Sequence, residues 1–135
     1  MELGEIATEF VARSYADELL AELQQFVFLG SSSGLEIYGT GQVAATTRAL
    51  AAYLFQVEMI APPTISSPSW PNWAFYNQNV TAFVAWTTPS QQVSKYGFLF
   101  DISGMAASLG GAGDAAMWGP NATAAAQMAF DARLL

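Results

Sequence analysis

The scarcity of charge limits how this chain can fold and what it can leave on its surface. Four basic residues, Arg13, Arg48, Lys95 and Arg133, and eleven acids serve 135 residues, of which 53% are hydrophobic. A soluble domain ordinarily draws about a quarter of its residues from Asp, Glu, Lys and Arg. A chain of this length supports one hydrophobic core and leaves roughly a third of its unfolded surface exposed. Ala, Gly, Ser, Thr, Gln and aromatic residues must cover much of that surface. A contiguous apolar patch beyond a few hundred Å² marks an interaction site, so the composition points to burial against neighbouring subunits. The alternative is a neutral polar surface that simply stays in solution.

The formal net charge is −7. Phosphate neutralisation needs clustered Lys and Arg, and four scattered cations form no basic stripe, so direct DNA or RNA binding is disfavoured. The same electrostatics disfavour an anionic membrane surface. There is no Cys and no His, which excludes disulfides, thiol catalysis, Cys/His zinc and Ser-His-Asp catalysis within the chain. The opening MELGEIATEF is acidic and lacks the basic and apolar regions of a secretory signal, so export by that route is unsupported. Compartment is left open.

Residues 3–28 hold good helix formers and no proline, which predicts a long N-terminal helix. At about 100° per residue, Leu3, Ile6, Ala7 and Phe10 gather on one side, whereas Tyr15, Leu19, Leu20, Leu23, Phe26 and Val27 gather on another. Either the helix bends near residues 12–14, or a straight helix meets two neighbours. The second reading suits residues 1–14 as an assembly arm of one domain spanning 1–135. Arg13, four residues from both Glu9 and Asp17, gives ordinary helix support. The glycines and serines of 29–41 read as turns, with room for a short third strand at 35–38. Residues 43–61 predict a second helix, apolar nearly all round apart from Thr46, Thr47, Arg48, Gln56 and Glu58, and therefore central. Arg48 and Glu58 lie well inside it and no basic flank borders it, which argues against a transmembrane span. Pro62-Pro63 ends it.

The segment PPTISSPSWPNWAFYNQ, residues 62–78, combines four prolines with Trp70, Trp73, Phe75 and Tyr76. Aromatics at this density pack onto something, so a rigid loop is expected. Residues 80–88 and 93–102 are β-branched and aromatic and predict an antiparallel hairpin, connected through Pro89-Ser90-Gln91-Gln92. In its second strand Tyr96, Phe98, Phe100 and Ile102 alternate with Lys95, Gly97, Leu99 and Asp101, giving one apolar face to meet the second helix. After the glycine-rich 104–113, Asn121 is expected to cap a C-terminal helix. The expected fold is α+β, in the order helix, helix, hairpin, helix.

Carboxylate chemistry would draw on Glu36, Glu58, Asp101, Asp114 and Asp131, but no spacing demonstrates the paired acids of a glycosidase. Glu58, on an apolar helix, is the candidate for a raised pKa, against the plainer reading of an acid paired with Arg48. The stretch GMAASLGGAGDAA matches neither phosphate-binding glycine motif, and conformational freedom is its expected role. Trp70, Trp73, Tyr76 and Trp86 offer a platform for a sugar, a peptide or a quaternary ammonium, or else staple a loop to the core. Asn79-Val80-Thr81 and Asn121-Ala122-Thr123 match the glycosylation pattern. The reading that follows is a noncatalytic structural subunit of a homo-oligomer or larger assembly, such as a virion or an extracellular filament. It involves no metal or cofactor, and Leu3, Ile6, Phe10, Trp70, Trp73 and Tyr76 are the interface candidates. A small-ligand or glycan-binding module is the first alternative, and a carboxylate-dependent enzyme the second.

Overall fold

A computed structural model describes residue 12 and residues 14–31, 36–66, 69–78, 82–121 and 126–133. One helix, α1 (Tyr15–Gln25), precedes ten strands: β1 (Phe26–Ser31), β2 (Gly39–Ala45), β3 (Arg48–Leu54), β4 (Thr64–Ser66), β5 (Trp73–Asn77), β6 (Ala82–Ala85), β7 (Ser90–Val93), β8 (Gly97–Ile102), β9 (Ala115–Pro120) and β10 (Ala126–Asp131). A 3-10 turn, Trp70–Asn72, leads into β5. The strands form a seven-stranded sheet, β6-β5-β9-β2-β3-β8-β7, and a three-stranded sheet, β1-β10-β4. Every pairing is antiparallel.

The pairing is nested: β1 joins β10, β2 joins β9, and β3 joins β8. The two antiparallel sheets include a curled half-barrel, and the smaller sheet packs against the larger one. Phe130 of β10 joins them, stacked on Phe98 with centroids 4.9 Å apart and edge-on to Phe55 at 5.2 Å. Strand alternation supplies the core, because side chains two apart share a face. Phe98, Phe100 and Ile102 of β8 point inward opposite Tyr53, Ala51 and Ala49 of β3. Small alanines beside these large side chains on the same face of the sheet leave room for them to pack.

The α+β expectation is thus overturned: the fold is mostly β, with one helix among the described residues. Residues 43–61 form no helix. They contain the end of β2, the Thr46-Thr47 turn, β3 and a following loop. Alanine is the strongest helix former, but Ala49 and Ala51 are buried at two-residue spacing, and burial on a pleated surface overrides propensity. The expected C-terminal helix is replaced by β10, where Ala126, Met128 and Phe130 are buried and Gln127 is exposed. No described helix follows Asn121; its backbone N–H donates to Asn72 O at 2.6 Å and its side chain to Pro71 O at 3.4 Å.

The N-terminal helix is shorter than expected. Ser14 caps α1, its hydroxyl accepting from the Asp17 N–H at 3.2 Å. The helix ends where Phe26 turns extended, at φ −147 and ψ 130, and the β-forming run FVF enters β1. The hairpin is also re-paired. Its segments do contain β6 and β8, but β6 joins β5, while β8 lies between β3 and β7. Residues assigned to the connection become edge strand β7. The expected loop over 62–78 includes β4 and β5, and 36–38 is not a strand.

Candidate interaction site

Ser14 and the acidic first turn, Asp17 and Glu18, stabilise α1 at its positive end. At the other end the Ile60 N–H donates to Gln24 O at 2.9 Å, and the Ala132 N–H to Gln25 O at 2.8 Å. These bonds fix the helix to the body, but no residue of α1 is buried. Tyr15 is 80% exposed, and Leu19 and Leu20 are each 45% exposed. An apolar helix face ordinarily covers a core; here much of it meets solvent.

The larger sheet offers a second weakly charged surface. Its seven strands contain two charged residues, Arg48 and Asp101, which pair through two hydrogen bonds of 2.9 and 2.6 Å. Elsewhere on the same sheet Leu54 is 79% exposed, and Leu99 and Phe83 are also exposed. The edge strands β6 (AFVA) and β7 (SQQV) carry neither charge nor proline, the usual protections against edge-to-edge pairing.

The aromatic segment divides between locations. β5 places Trp73 and Phe75 inward and Tyr76 on the opposite face, where its ring stacks with Phe83 at 5.0 Å. Trp73 is 0% exposed and meets Tyr38, Trp86 and Trp118 at 5.8, 6.0 and 6.0 Å. Trp118 Nε1 donates to Ala52 O at 3.2 Å, whereas the buried Nε1 atoms of Trp73 and Trp86 have no acceptor. Their surroundings are rings, and a ring face is only a weak acceptor for N–H. Trp70 is half-buried at the margin of this cluster. Of the proposed interface residues, Trp70 and Trp73 therefore meet through Trp86, and Tyr76 faces away from them. Leu3, Ile6 and Phe10 lie outside the described residues, as do all but Ala12 and Ser14 of the proposed arm. Sequence reading missed Phe83 and Leu54 as surface residues, although it placed Leu99 on the face away from the core; alternation within correctly paired strands is the signal that exposes the other two.

Four of the five candidate carboxylates, Glu36, Asp101, Asp114 and Asp131, have structural engagements. Arg48 takes Asp101 rather than Glu58, and its hydrogen bonds hold the Asp101 carboxyl below the usual range. Glu58 is exposed in the loop after β3. Glu36 accepts from the Tyr38 hydroxyl at 2.7 Å, and burial first, then this bond, pushes the phenol up to about 12. Asp114 accepts from the Gly111 N–H at 3.1 Å and from Asn77 Nδ2 at 3.2 Å, clasping the glycine-rich turn. Gly104, Gly110 and Gly113 have φ of 68, 110 and 96, so that stretch does use glycine's conformational freedom. No group of three or more Asp or Glu suited to a metal occurs among the described residues.

Asp131 binds Arg133 in a two-point ion pair, and those hydrogen bonds lower its carboxyl to about 2. The unfolded value is about 3.9, so the pair's contribution is present above that value and disappears as pH falls toward 2. Thermal melts between about pH 4 and pH 2 should fall more steeply for the wild type than for Asp131→Asn. Parallel slopes would remove the pair as a contributor.

No family model, curated protein or solved structure matches this chain. Among the described residues no helix is long and apolar enough to cross a membrane.

Proposed function

We propose that this chain is a noncatalytic structural subunit of a larger protein assembly, joined to other copies through α1. The observation that carries this reading is the helix: it is capped and tied to the body, yet leaves Tyr15, Leu19 and Leu20 at the surface. Burying leucine side chains contributes about 1.5–3 kcal/mol each when complete, so contact between copies has a driving force that the isolated chain leaves unused. Two uncharged edge strands and the sparsely charged sheet support the same reading, since little repulsion opposes close approach. A virion or an extracellular filament is the kind of assembly in which such surfaces are buried repeatedly.

Light scattering over a range of protein and salt concentrations tests this directly. The wild type is expected to have a mass above that of one chain, and Leu19→Glu combined with Leu20→Glu is expected to reduce it to one chain. Substitutions at exposed sites usually change the stability of a single chain by only about 0.5 kcal/mol, so the variant should stay folded as a monomer, with a cooperative melt that no longer depends on protein concentration. A wild type that stays monomeric throughout, or a variant with unchanged mass, would refute assembly through α1.

A further inference from the structure

A groove opens where β4, at the edge of the smaller sheet, approaches β7, at the edge of the larger one. Its volume is about 590 Å³, and Phe28, Ser66, Trp70, Gln91 and Gln127 line it over Ala129. Phe28, Ala129 and Ser66 lie abreast on neighbouring strands, so one face of the smaller sheet provides much of the wall. A Cβ on Gly30 would come within 2.6 Å of Phe28 Cε1, so the missing side chain there seats the Phe28 ring. On the other side Trp70 stacks on Trp86 at 6.5 Å and meets Phe100 edge-on at 5.7 Å. The core therefore orients the part of Trp70 that reaches the groove. Gln91 stands opposite Phe100 in the β7–β8 register, beside that ring.

We propose that this groove binds a neutral saccharide. A pyranose presents C–H faces that pack on aromatic rings and hydroxyls that both donate and accept; Phe28 and Trp70 suit the first, and Gln91 and Ser66 the second. No described lining residue is ionisable, and the chain's net charge of −7 opposes an anion. An ammonium ligand would find no carboxylate in the lining, and a purely apolar ligand would desolvate the Gln91 carboxamide without replacing its hydrogen bonds. The proposal does not depend on self-association, because sugar binding and molecular mass are measured separately.

The test uses an array of neutral glycans with sialylated and sulfated glycans alongside. The strongest neutral binder is then titrated by intrinsic tryptophan fluorescence at low and high salt. A neutral glycan should bind with an affinity unaffected by salt. Gln91→Ala and Phe28→Ala should each weaken it about tenfold, the scale of one lost hydrogen bond or ring contact, without lowering the melting temperature. Trp70→Ala should abolish binding, but that ring also packs on Trp86 and Phe100, so the two exposed-site variants decide the matter. The proposal is overturned if no neutral glycan binds, if charged glycans are preferred, or if either exposed-site variant binds as the wild type does.

Discussion

Trp73→Ala is expected to lower the free energy of unfolding by about 3–5 kcal/mol, the range for removing a large aromatic from a packed core. The ring has no exposed surface and meets three other aromatics, so truncation leaves a cavity that neighbouring strands cannot readily close. Trp73→Phe should cost much less, because it preserves a ring and removes an indole N–H that has no acceptor. Urea titrations followed by far-ultraviolet circular dichroism measure both, with midpoints compared at constant slope. A loss below about 1 kcal/mol in the alanine variant would place the ring outside the core. Mass in solution should not respond to either substitution while the chain remains folded, which separates this aromatic from α1.

Phe130→Ala should cost a similar amount, about 3–5 kcal/mol, but with a different distribution. Its ring holds the smaller sheet against Phe98 and Phe55, stacked within 10° on the first. Removing it weakens the attachment of β1, β10 and β4 while the hydrogen-bonded strands of the larger sheet remain paired. Hydrogen exchange should therefore accelerate in β1 and β10 well before it accelerates in β2 and β9. Uniform acceleration in both sheets would show that they open as a single cooperative unit.

These two rings also show what the sequence could and could not reveal. The alternation of Phe98, Phe100 and Ile102 was readable, since period-two burial is local and strong. Ala49 and Ala51 sent the reading toward a helix, because their inward placement depends on Phe100 and Ile102 opposite, a contact across some fifty residues. The same applies to Ala126, whose intrinsic helix preference yields to the pairing of β10 with β1 and β4. Partner choice was not legible in β6 and β8: both segments have strand composition, and sequence proximity suggested a hairpin that the sheet order rejects. At the candidate site, the apolar face of Leu19, Leu20 and Leu23 was evident from helical spacing. Its incomplete burial was not, because exposure depends on where the body lies. The groove was less legible still, since Phe28, Trp70, Gln91 and Gln127 come from four separate segments.

The nested order of strands has a consequence for biosynthesis. A ribosome emits residues at about 5–20 per second, and a domain normally begins to fold once its own contacts have emerged. Among the described residues the first strand awaits the last: β1 has no cross-strand partner until β10 appears, and β2 gains its second neighbour only with β9. Val27 and Leu29 therefore stay without the strand that shields them until β10 has emerged. A nascent chain of this topology is most vulnerable to aggregation just before β10 leaves the exit tunnel, and holding β1 apart from neighbouring nascent chains would protect it most at that stage.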